Sequence, residues 1–71
     1  MHLGKFNTIL GEIEKFRQGE GFEISVQTQN RTYAGAHRVI EGPAGAVLVI
    51  GTNDELAFVD LDAVVTVQLA G

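Results

Sequence analysis

The chain has no cysteine, which excludes a disulfide framework and any thiolate metal site. Its only imidazoles are His2 and His37, too few and too far apart in sequence to suggest a metal cluster, so neither a metal nor another cofactor is expected. Tryptophan is also absent and proline occurs once, at Pro43. Basic residues are scarce: five Lys and Arg against nine Asp and Glu give a formal charge of −4. That balance excludes a broad electrostatic footprint on nucleic acid, and DNA is not an expected partner. The apolar runs, of which Ala46 to Ile50 is the longest and Leu56 to Val59 and Ala63 to Val65 are shorter, are far too short to span a bilayer. No basic segment followed by an apolar one opens the sequence, so neither a signal peptide nor a membrane partner is expected, and the expected location is cytoplasmic. A chain of 71 residues forms one domain, over 1–71. A domain this small buries only roughly 60% of its unfolded surface. With disulfides and metal excluded, dense packing or oligomerisation must supply the remaining stability.

What is present is strongly patterned. Leu3, Phe6, Ile9, Leu10, Ile13 and Phe16 recur at spacings of three and four, the stripe of an amphipathic helix over about 3–18. Lys5, Glu12, Lys15 and Arg17 fall on the other side, and Gly19 and Gly21 bracket the stop. Gly11 weakens the helix interior unless it marks a close packing contact. The period then changes to two: Phe22, Ile24 and Val26 alternate with Glu23, Ser25 and Gln27. Strands are expected over about 22–28, 32–40, 46–50, 56–59 and 64–69. A turn at Gln29-Asn30-Arg31 suits Asn at positive φ. Glu41 to Gly45 reads as a loop, Gly51-Thr52-Asn53-Asp54-Glu55 as a second turn, and Asp60 to Ala63 as one 3₁₀ turn. Gly35 interrupts the second strand, as a sharp bend or a close backbone approach requires. The continuous apolar run Ala46 to Ile50 predicts a strand covered on both faces. One helix and five short strands, too few for a sandwich, make a mainly β fold: a small, strongly bent antiparallel barrel with the helix over one end.

This order resembles the Sm-like family, the Sm, Lsm and bacterial Hfq proteins, whose N-terminal helix precedes a five-stranded SH3-like barrel. Ile24, Val26, Asn30, Tyr33 and Gly35 match the cadence of the family's first motif. Glu41 falls where the family usually has Asp, and Gly45 where it has an Asn that contacts RNA bases. In the second motif Val64, Val65 and Val67 fit the apolar part, while the turn reads Leu61-Asp62 and lacks the usual Arg. The resemblance implies a homo-oligomeric ring closed by pairing the fourth strand of one subunit with the fifth of the next. Its interface would include Leu56, Phe58, Val64, Val65 and Val67. RNA is the ligand class it implies, with two of the principal RNA-binding side chains missing. The spacing of Gly35, Ile40 and Gly45 also looks like the barrel that ends biotin-protein ligases, a comparison that leaves the helix unexplained.

No catalytic constellation is visible. Ser25 and the threonines have no identifiable base, and the chain is not expected to be an enzyme. Gly42-Pro43-Ala44-Gly45 lacks the Lys and Ser or Thr of a phosphate loop. His37, mid-strand with Tyr33 and Gly35 on its face, reads as a partly exposed strand histidine. Glu41, Gly45, Asp60 and Asp62 lie in the two loops that would converge near a ring axis. There the carboxylates could bind a cation or a basic peptide, while Asp60 and Asp62 are also natural turn-formers. Two functions follow: a non-enzymatic, ring-forming, RNA-binding protein, or a structural or protein-interaction module whose acidic loops bind a basic partner. A small-molecule or enzyme-accessory barrel has less support, since no convergent polar set is visible.

Overall fold

A computed structural model describes residues 1–52 and 54–70. Helix α1 (Leu3–Arg17) is followed by β1 (Ile24–Gln27), β2 (Thr32–Gly42), β3 (Gly45–Gly51), β4 (Leu56–Asp60), a 3₁₀ turn (Leu61–Ala63) and β5 (Thr66–Leu69). The strands form one antiparallel sheet in the order β4-β3-β2-β1-β5. The mainly β expectation holds, with one N-terminal helix and five strands.

The sheet turns on β2. Residues 32–35 of β2 pair with β1, and residues 36–42 pair with β3, so the strand belongs to both halves. Gly35 is the pivot: it is buried at φ 150°, a conformation that L side chains rarely adopt. The bend expected there is present, and its cause is the close approach of β3. Between the two halves lie Ile24 and Val26 of β1, Leu48 and Ile50 of β3, Val59 of β4, and Leu61 and Val64 beyond it. Phe6 of α1 is fully buried among them, with Leu3, Leu10 and Ile13 packed alongside. Burying such side chains contributes roughly 1.5–3 kcal/mol each.

Several boundaries differ from the sequence reading. Residue Gln18, not a glycine, takes the left-handed cap of α1 at φ 56°, and Gly19 follows at φ 85°. Phe16 leaves the core altogether and is 80% exposed. It sits ten residues beyond Phe6, about 15 Å along the helix and on the margin of the stripe, whereas Arg17, expected on the polar side, is half-buried with its Nε covered. Strand β1 is shorter than expected. Glu41 and Gly45 are strand residues rather than loop, since Glu41 pairs with Ala46 and Gly42 with Gly45, which leaves Pro43 and Ala44 as the connection. The Gln29–Arg31 turn forms without positive φ at Asn30; Thr28 Oγ1 accepts from the Asn30 and Arg31 amides at 3.3 and 3.1 Å. In the second turn the Thr52 amide donates to the Glu55 carbonyl at 2.9 Å, and Asn53 lies outside the described residues. Strand β3 is not covered on both faces: Leu48 and Ile50 are buried while Val47 and Val49 are only half-buried. Strand β5 begins at Thr66, because the 3₁₀ turn turns Val64 into the core. Among the described residues no helix is long and apolar enough to cross a membrane.

Candidate functional site

The four residues singled out by sequence line two clefts, with Asp62 in both. Glu41, Gly45 and Asp62 line one of about 260 Å³, together with Met1, His2 and Leu61. They meet because the β2–β3 connection and the 3₁₀ turn lie at the same end of the sheet as the start of α1. The Met1 ammonium donates to the Leu61 carbonyl at 2.8 Å, which holds the N-terminus against the 3₁₀ turn. Asp60 is not part of this cleft. Its carboxylate accepts from the Asp62 amide at 3.1 Å and so caps the 3₁₀ turn, the turn-forming role that Asp residues commonly serve. Among the described residues there is no group of three or more His, Cys, Asp or Glu that could hold a metal ion.

A larger cleft of about 570 Å³ lies where the two ends of the sheet approach each other. Its lining includes Arg31, Tyr33, Phe58, Asp60, Asp62 and Val65. The Arg31 guanidinium stands 5.2 Å from the centre of the Tyr33 ring, a cation–π arrangement. Sequence reasoning missed this cleft, because its walls come from the β1–β2 turn and from β4 to β5, some thirty residues apart.

The same region carries the expected interface residues. Strands β4 and β5 are the terminal strands of the sheet, each paired along one side only. Leu56 and Phe58 are each 64% exposed and Val65 is 61% exposed, whereas Val67 is half-buried against the core. Val64 differs from the other four: at 3% exposure its side chain belongs to the core. The Val65 amide is already used, donating to the Gln27 carbonyl at 2.8 Å.

His37 faces inward on β2, opposite Ile50. Its ring lies 5.5 Å from that of Phe22, centre to centre, and its Nδ1 is buried without a hydrogen-bond partner among the described residues. Burial disfavours the imidazolium and pushes its pKa below the usual 6.5. No family model, curated protein or solved structure matches this chain.

Proposed function

We propose that the chain is a non-enzymatic, Sm-like SH3-type barrel that assembles into a homo-oligomeric ring. One observation carries the reading: the sheet ends in two strands, β4 and β5, each with an unpaired side and exposed apolar residues beside it, Leu56, Phe58 and Val65. Free edges of this kind usually carry lysine, proline or a covering element. Neither strand contains Lys or Pro. Pairing β4 of one copy with β5 of the next is a head-to-tail contact, and when its rotation closes, every edge is consumed. The strand order β4-β3-β2-β1-β5, with a central strand bent at a buried glycine, supports the barrel assignment.

RNA is the ligand class that the resemblance implies. The second reading, a module that binds a basic partner, draws support from Glu41 and Asp62 lining one cleft, where ring assembly would repeat their charge around an axis. Titration of U-rich and A-rich oligonucleotides against salt separates them. An RNA-binding ring binds at least one of the two, most tightly at low salt. Failure of both at low salt rejects RNA and leaves the basic-partner reading.

A further inference from the structure

Register places two rows of side chains on the outer face of the sheet. Ala36, Gly51 and Leu56 form one, and Arg38, Val49 and Phe58 the next. The first row has almost no side-chain volume until Leu56, and the second stands tall beside it. The result is a hollow of about 390 Å³, floored by Ala36 and Gly51, walled by Val49, Leu56 and Phe58, with Arg38 as its permanent charge. Leu56 and Phe58, its two largest walls, are each 64% exposed.

The molecule also carries a complementary projection. Phe16 is 80% exposed near the C-terminal end of α1, the most exposed of the large apolar side chains. Glu12, read from the sequence as lying on the other side of the helix, is four residues before Phe16 and so one turn away and beside it, because Phe16 stands on the margin of the apolar stripe. Its carboxylate meets Lys15, at 3.6 Å, in a pair whose side chains are 69% and 78% exposed, too weak to hold it from a better partner. An aromatic side chain flanked by a carboxylate matches an apolar hollow that contains one arginine. The hollow is not filled by the chain's own helix, since Phe16 remains exposed.

We propose that Phe16 of one copy docks in the Ala36–Gly51 hollow of a second copy, with Glu12 against Arg38. The contact is head-to-tail, because projection and hollow are different patches. Alone it buries far less than the roughly 1,200–2,000 Å² of a standard interface. It extends the self-association reading and is continuous with the proposed strand edge, since Phe58 walls both the hollow and the cleft beside Val65. The two contacts reinforce each other.

Sedimentation equilibrium of the full chain and its variants tests this. Phe16→Ser is expected to weaken association at least tenfold without changing the circular dichroism spectrum, because the side chain is 80% exposed in its own fold. Arg38→Glu weakens it as well, and Arg38→Glu combined with Glu12→Arg restores most of the loss. The absence of native cysteine permits a second readout. Lys15→Cys and Ile40→Cys variants, mixed and treated with a short bismaleimide, should cross-link to each other faster than either does to itself. Association of Phe16→Ser at wild-type strength, or cross-linking only between like variants, overturns the proposal. If Val65→Lys still abolishes assembly in that case, the strand-edge reading survives without it. A wild-type chain that stays monomeric overturns both.

Discussion

Gly35 and Gly51 touch backbone to backbone: a β-carbon on Gly35 would fall directly on the Gly51 carbonyl oxygen, and within 3.3 Å of Thr52 Cγ2. This contact is where the two halves of the sheet meet. Gly35 pairs with Ile24 of β1, while its neighbour Ala36 pairs with Gly51 of β3. Gly35→Ala must therefore move backbone and also hold an L residue at φ 150°. Such strain costs of the order of 1–3 kcal/mol, before the clash is relieved. Urea denaturation is expected to show a loss at least that large, and a variant as stable as wild type would place the pivot elsewhere.

Gly11 has the opposite character. A β-carbon there meets nothing within 4 Å, so no packing contact explains the glycine in mid-helix. Gly11→Ala is expected to stabilise the fold by about 0.8–1 kcal/mol through helix propensity alone. For a domain this small that corresponds to a rise of roughly 4–8 °C in melting temperature. An unchanged or lower melting temperature would mean that Gly11 serves a contact made only in the assembled state.

His37 sets a pH dependence. In the fold its pKa is lowered by burial, whereas the unfolded chain titrates near 6.5. Below 6.5 the unfolded state binds the proton more readily, so this contribution to stability is full above 6.5 and is lost as pH falls toward the folded-state value. His37→Phe, which keeps a ring against Phe22 and removes the orphaned Nδ1, should flatten the decline of the urea midpoint between pH 7 and pH 5. Parallel profiles for the two proteins would show that another group controls the acid limb.

Val65 separates fold from assembly. Its side chain is 61% exposed and its backbone amide is already bonded to Gln27, so a lysine there leaves the fold intact. At a strand edge that pairs with another copy, the same lysine brings an unpaired charge to an apolar contact. Val65→Lys is expected to reduce the mass to that of the single chain while the helical circular dichroism is retained. A variant with wild-type mass would remove Val65, at the entry to β5, from the interface.

The features legible in the sequence are those set by period and by backbone geometry. The 3.6-residue stripe gave α1, the alternation around Ile24 and Val26 gave β1, and an isolated glycine in an apolar strand marked the bend at Gly35. Features decided by the relative position of distant elements were not legible. Phe16 keeps the spacing of the stripe, yet it is 80% exposed while Phe6 is fully buried. Val64 and Val65 are adjacent valines, and only the 3₁₀ turn before them decides that the first is core and the second is surface. Gly42-Pro43-Ala44-Gly45 has a loop's composition, yet both glycines pair across a two-residue connection. Glu41, Gly45 and Asp62 line one cleft although Glu41 and Gly45 are strand residues, and Asp60 caps its own turn, placements that depend on the register of β2 with β3 and not on local composition.

The central claim is that the unpaired sides of β4 and β5 are satisfied by other copies of the same chain. Light scattering on the purified protein at micromolar concentration measures this most directly. The account predicts a single species with a mass several times the 7.6 kDa of one chain. A homogeneous 7.6 kDa monomer across that range would contradict it.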